Sequence, residues 1–200
     1  MTAPPALPDV WSASYVSYWV PRQDGDEMTS GHVWFDYPGQ RFRIDGLFNP
    51  WDEAATGHRL WMSEIGWPGD GETFKLTVPY NAGPQGHRAG DPRWRREPLA
   101  ASLLPQRVLA ERGARRVATP PVLGESAQAW RFERPGGKGP ATYVFSQDGQ
   151  RLLRMVTGEE RQRASIRDFF NFSAAALAPS IFELPPACRA ATPSDREQAP

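Results

Sequence analysis

Glu64 is the residue whose neighbours best suit acid–base chemistry. It closes the run Thr56-Gly57-His58-Arg59-Leu60-Trp61-Met62-Ser63-Glu64, which reads as a strand. Side chains of a strand alternate between two faces, so His58, Leu60, Met62 and Glu64 share one side, and Arg59, Trp61 and Ser63 the other. A carboxylate beside apolar neighbours is costly to ionise and tends to hold its proton. That is one way to make a general acid that works near neutral pH. The plainer alternative is a carboxylate at a strand end that points to water, and periodicity alone favours it. Just upstream, Asp45-Gly46-Leu47-Phe48-Asn49-Pro50-Trp51 reads as a strand followed by a turn locked by Asn49-Pro50.

A second segment with chemical content is Arg163-Ala164-Ser165-Ile166-Arg167-Asp168-Phe169-Phe170-Asn171. Arg163, Ser165, Arg167 and Phe169 fall on one strand face. An arginine among aromatics is a candidate clamp for a carboxylate, because its fork matches that group. The alternative is a surface arginine paired with Asp168 or Glu160, and spacing alone prefers it.

Other chemistries lack their residues. His32, His58 and His87 have no pairwise metal spacing and no cysteine partner, so no zinc site is expected. There is no G-x-S-x-G elbow and no dinucleotide fingerprint. Gly136-Gly137-Lys138-Gly139-Pro140 resembles a phosphate loop but lacks the Lys-Ser/Thr ending and the helix that should follow. It reads as a hairpin turn. Any catalysis is expected to run without metal or cofactor, through acid, base, hydrogen bonding and shape.

The elements that must position these residues are mostly strands. Alternation over 12–20, 31–37, 41–45, 58–64 and 73–78 argues a large antiparallel sheet rather than βαβ units. Segment 79–98 breaks the pattern with glycines, prolines and Arg93-Trp94-Arg95-Arg96, and reads as a long functional or mobile loop. Leu99 to Arg112 is the helix candidate, interrupted by Pro105 and capped by Gly113. Strands resume at 115–118, 128–133, 142–145, 151–157 and 164–172, with turns at Gly136-Gly137 and Asp148-Gly149. A short helix is expected over 174–182. Residues 1–10 and 188–200 read as disordered tails around one domain over 11–187.

Composition narrows the setting. The 200 residues carry 23 basic and 23 acidic side chains, which suits one domain and gives no sign of a nucleic-acid or membrane partner. Neither a signal peptide nor an apolar span is evident, and the single cysteine, Cys188, fits a reducing compartment. The expected location is the cytoplasm. Eight tryptophans are many for this length. Most suit an aromatic core, and some would suit a pocket for a ring-bearing ligand.

The residues also carry a resemblance. Trp11-Ser12-Ala13-Ser14-Tyr15-Val16-Ser17-Tyr18-Trp19, Thr29-Ser30-Gly31, Trp34-Phe35-Asp36-Tyr37, Arg43 to Trp51, Arg59 to Glu64, Leu153-Arg154-Met155-Val156-Thr157-Gly158 and Arg163-Ala164-Ser165 together resemble the VioE family of violacein biosynthesis enzymes. The matches run from Trp11 to Phe182. The resemblance implies a mainly β fold like the LolA/LolB carriers: one large curved antiparallel sheet, a half-barrel, with helices on its concave side. It implies a cofactor-free 1,2-shift of an indole in the imine dimer of indole-3-pyruvate, giving protodeoxyviolaceinic acid. It further implies a homodimer that works after a tryptophan oxidase and an imine-dimerising enzyme. The family's pocket residues map onto Tyr15, Ser17, Phe48, Asn49, Pro50, Glu64 and Arg167. Glu64 is then the acid/base and Arg167 the carboxylate holder. Tyr15, Ser17 and Asn49 position polar groups, and Phe48 and Pro50 shape the wall. The chain departs from the family pattern over 79–98, at Phe170 and in its tail. A different class remains open: a non-catalytic carrier of a hydrophobic or aromatic acid on a LolA-like fold.

Overall fold

Alternating segments become strands in the structure, a computed structural model that describes residues 3–26, 28–48, 58–67, 70–83, 86–89, 93–98 and 104–184. Among the described residues there are twelve strands: β1 (Val10–Val20), β2 (Thr29–Asp36), β3 (Arg41–Phe48), β4 (His58–Trp67), β5 (Glu72–Gly83), β6 (Gly86–Ala89), β7 (Arg93–Pro98), β8 (Arg115–Val117), β9 (Ala127–Glu133), β10 (Pro140–Ser146), β11 (Leu152–Glu159) and β12 (Arg163–Ser173). They form one sheet in the order β6-β5-β4-β3-β2-β1-β12-β11-β10-β9-β8, with β7 beside β5. Every pairing is antiparallel. The expected mainly β, single curved antiparallel sheet is what the chain builds. The first and last long strands, β1 and β12, lie side by side and join its two halves.

Register explains why one face buries a core. Trp11 stands opposite Phe35, and Phe35 opposite Phe42, so one row of large rings crosses three strands. Trp11 and Phe35 stack with centroids 4.7 Å apart and planes at 12°. Across β12 the same face continues through Phe169, Tyr143, Trp130 and Phe132. Leu104, Val108 and Leu109 cover these rings from the segment before β8. Ring stacks of this kind add to area burial and hold side chains in one arrangement.

Four expectations change. Segment 79–98 is not a loop in its described parts: β5 runs through Pro79 to Gly83, and β6 and β7 follow. β5 has two partners on its outer side, β6 along Tyr80–Gly83 and β7 along Glu72–Thr77. Pro79 falls in the gap between them, where a residue without an N–H interrupts no pairing with either. The run Arg93 to Arg96 belongs to an edge strand, a place where charge discourages further pairing.

The helix expected over Leu99 to Arg112 is reduced to α1 (Val108–Glu111), with residues 99–103 outside the described set. Pro105 prevents a longer helix through its missing donor and its ring. The expected cap at Gly113 is present: its φ is +61°, and the Ala114 N–H donates to the Leu109 carbonyl at 2.8 Å. The helix expected over 174–182 is only a 3-10 turn, Pro179–Phe182.

The start of the chain, expected to be a disordered tail, packs against the core in its described part. Leu7 is 2% exposed in the main core, and its N–H donates to the Gln106 carbonyl. A single leucine placed among rings outweighs the Pro/Ala-rich composition around it. The tail expected over 188–200 lies outside the described residues, as does the Asn49-Pro50 turn.

Candidate functional site

The core face changes character along β1 and β12. Its apolar end carries Trp11 and Ala13; beyond them come Tyr15, Ser17 and, directly opposite Ser17 on β12, Arg167. Tyr15 is fully buried, while Ser17 and Arg167 are half-buried. The Arg167 guanidinium lies over the Tyr15 ring, with its central carbon 4.8 Å from the centroid. Three of the expected site residues thus meet on two neighbouring strands.

Tyr15 reaches this position because β2 and β3 carry glycines beside it. Tyr15 stands opposite Gly31, and Gly31 opposite Gly46. A Cβ on Gly31 would lie 2.0 Å from the Asp45 carbonyl oxygen and 2.7 Å from the Tyr15 hydroxyl. Any other residue there would displace the phenol. Burial raises the Tyr15 pKa; the positive Arg167 opposes that shift and the Asp45 carboxylate adds to it.

Arg167 has no carboxylate partner among the described residues. Asp168, one of its two expected partners, points to the opposite face of the sheet. There Arg154 binds it through Nε and Nη2 at 2.5 and 2.9 Å, and the Tyr18 hydroxyl donates to Oδ2 at 3.0 Å. Glu160 makes no ion pair with Arg167 either. The Nε of Arg167 is buried without a hydrogen-bond partner, and so is the Tyr15 hydroxyl. Buried donors are rarely left unmet, because each costs roughly 1–3 kcal/mol.

Glu64 sits on the same face but not beside Arg167. It lies on β4, opposite Ile44 on one side and Lys75 in register on the other. Four strand intervals separate β4 from β12, about 19 Å measured across a flat sheet. Glu64 is half-exposed, and its Oε1 accepts a hydrogen bond from the Thr73 hydroxyl at 3.3 Å. Ile44, opposite Glu64 in register, is an apolar neighbour that sequence alone does not bring alongside; of the expected pair Leu60 and Met62, the Leu60 side chain is not described. Phe48 belongs to the same face by register, opposite Leu60. Its side chain is not described, and Asn49 and Pro50 lie outside the described residues.

Asp45, adjacent to this site on the reverse face, is fixed in place. Arg43 grips it with Nε and Nη2, both at 2.8 Å, and the Ser63 hydroxyl donates at 2.6 Å. Among the described residues no three of His, Cys, Asp and Glu are placed to hold a metal ion. No described helix is long and apolar enough to cross a membrane.

A family model described as "Violacein biosynthetic enzyme VioE" matches residues 4–182. The chain belongs to the VioE family. Its place is therefore in violacein biosynthesis, as an enzyme of that pathway. No curated protein sequence matches the chain. Among solved structures, it is similar to an uncharacterized conserved protein from Thermus thermophilus, at TM-score 0.51 and 12% identity over 90% of this chain and 88% of that one. That likeness concerns the fold. Weaker likenesses join this VioE-family chain to a LolA superfamily protein from Nitrosomonas europaea (TM-score 0.37, 10% identity, 88% and 90% covered). A β-barrel-like protein from Brucella abortus matches at TM-score 0.40 and 9% identity, with 86% and 100% covered.

Proposed function

We propose that the chain catalyses, without a cofactor, the 1,2-shift of an indole in the imine dimer of indole-3-pyruvate, giving protodeoxyviolaceinic acid. One observation carries this reading beyond family membership: Arg167, charged and half-buried on the core face, has no acid among the described residues to pair with. A cation kept unpaired there is a binding element for an anionic ligand. Arg167 holds a substrate carboxylate. Tyr15 lies under its guanidinium and Ser17 opposite it, so both meet the same end of the ligand. Glu64, steadied by Thr73, delivers and takes back protons at the other end. Phe48, the last residue of β3, and Asn49 and Pro50 after it in sequence are assigned the wall and polar contacts in this reading. The spread from β12 to β4 suits a substrate with two ring systems better than a single-ring acid. In this reading the chain acts as a cytoplasmic homodimer, after a tryptophan oxidase and an imine-dimerising enzyme.

The test is a coupled reaction with those two upstream enzymes. Product should form only when the chain is added. Equal product without it overturns the proposal. Tight binding of an indole acid with no product in any arm supports the carrier reading instead.

A further inference from the structure

Tyr143 extends the Arg167 site, and nothing in the sequence pattern marks it out. It lies on β10, opposite Met155 of β11, and Met155 is opposite Arg167 of β12. One row thus runs Tyr143, Met155, Arg167, Ser17 on the core face, with Tyr143 two strands from Arg167. That is about 10 Å between backbones, and because the guanidinium leans to the Tyr15 side, it is the bound carboxylate together with the length of the Tyr143 side chain that would close the gap. The Tyr143 ring is held by Phe132, edge to face at 5.4 Å and 71°. Only 7% of the residue is exposed, yet its hydroxyl makes no hydrogen bond to a described residue.

Burial pushes the Tyr143 phenol up to about 12, and the Arg167 charge opposes that shift. The same charge acts on Tyr15 from the other side. In strand order Arg167 on β12 falls between two buried tyrosines, Tyr15 on β1 and Tyr143 on β10, each without a hydrogen-bond acceptor in the described chain. A phenol kept protonated beside an unpaired guanidinium is a donor waiting for the anion that the guanidinium attracts.

We propose that Tyr143 is a binding residue of this site, donating a hydrogen bond to the carboxylate held by Arg167. The inference rests on the Arg167 reading above and adds a residue from the far half of the sheet. It makes the anion seat three-sided: guanidinium from β12, hydroxyls from β1 and β10. Such a seat selects an acid over the alcohol of the same shape, because an alcohol cannot accept from three donors at once.

Calorimetry with indole-3-propionate and with indole-3-propanol, on wild type, Tyr143→Phe and Arg167→Lys, separates the claims. Hydrogen bonds to charged groups are worth roughly tenfold or more in affinity. Tyr143→Phe should weaken acid binding by about that factor and leave alcohol binding unchanged. It should also keep the thermal midpoint, since it removes one hydroxyl and no apolar contact. If wild type prefers the acid, Arg167→Lys weakens it and Tyr143→Phe does not, the Tyr143 assignment is overturned and the Arg167 reading stands. If wild type shows no preference for the acid, both fall. A second readout guards against a local collapse in the variant. In protein with 13C-labelled tyrosine, the ring signal missing from the Tyr143→Phe spectrum should shift on titration with the acid; a signal that stays put overturns the proposal.

Discussion

Arg167 covers the face of the Tyr15 ring, 4.8 Å from guanidinium carbon to centroid, and under the proposed function this contact limits the direction from which a carboxylate would come. The ring occupies the Tyr15 side of the guanidinium, and Nε is buried. What remains is the far edge with its terminal N–H groups. A carboxylate meeting that edge in the plane takes two parallel hydrogen bonds. Arg167→Lys keeps the charge but loses both the fork and the guanidinium contact with Tyr15. Acid binding should weaken by at least about tenfold, with little change in the thermal midpoint. Unchanged affinity in calorimetry means that the anion is held elsewhere.

Asp168 provides the contrast, one residue away on the other face. It joins Arg154 and Tyr18 in a network that has no access to the ligand face. Asp168→Ala leaves the Arg154 charge partly buried without its partner, and should cost about 1.5–3 kcal/mol of stability. Acid affinity should stay within about twofold of wild type. A large affinity loss in a folded Asp168→Ala protein contradicts the two-face description of β12.

The loop after β1 is fastened by charge. The Arg163 Nη2 donates to Asp26 Oδ1 at 2.6 Å, and the Gln23 N–H donates to Oδ2 at 2.8 Å. Arg163 also lies over the Trp19 ring, 4.7 Å from its centroid. The Arg163 bond, then the Gln23 N–H, hold the Asp26 carboxyl below its ordinary value of 3.8. The folded pKa is the lower one, so this stabilisation is fully present above the unfolded value and is lost as pH falls through the folded value. Asp26→Asn should therefore be less stable than wild type at neutral pH, and the two should converge in strong acid. Urea midpoints measured from pH 7 downward check this; a constant gap at every pH contradicts it.

Which parts of this were legible in the sequence follows from how far each signal reaches along the chain. Alternation of period two is local, so nearly every strand and both glycine turns could be read directly. The facing of Tyr15, Ser17 and Arg167 was legible only as parity on separate strands. Their meeting depends on β1 pairing with β12 across some 150 residues, and no local pattern encodes that pairing. The alternative partner for Arg167, Asp168, is excluded by the same parity, since adjacent strand residues point to opposite faces. Segment 79–98 misled because its glycines and prolines suggest a loop, whereas β5 changes partners at Pro79 and needs no donor there. Leu7 was illegible for the opposite reason: one leucine in a Pro/Ala-rich stretch has no period at all. No local pattern marks Thr73 or Tyr143: one meets Glu64 through a hydrogen bond from the next strand, the other shares a row with Arg167 across two strand pairings.

The cover over the core rings gives a stability test that leaves the site alone. Leu109 is 1% exposed and packs in the main cluster from a helix of only four residues. A helix that short has almost no stability of its own, so its contacts hold it in place. Leu109→Ala should cost about 2–5 kcal/mol, read as a lower urea midpoint. A loss below about 1 kcal/mol would show that the segment does not close the core.

Glu64 carries the chemical half of the proposal, and its surroundings define what its replacement should do. It is half-exposed and holds a hydrogen bond from Thr73, whose hydroxyl also lies 3.4 Å from the Ile65 carbonyl oxygen. Glu64→Gln keeps the size and still accepts from Thr73 through its amide oxygen, so folding and acid binding should persist. It cannot take up and release a proton. General acid–base catalysis is worth roughly 10²–10⁴-fold, and product formation in the coupled reaction should fall by that order. Because Arg167 lies four strand intervals away, affinity for an indole acid should not fall with it. Binding and turnover thus separate in this one variant. If Glu64→Gln makes product at near the wild-type rate, the site works by holding and shaping its substrate, and the acid/base role belongs to another group or to none.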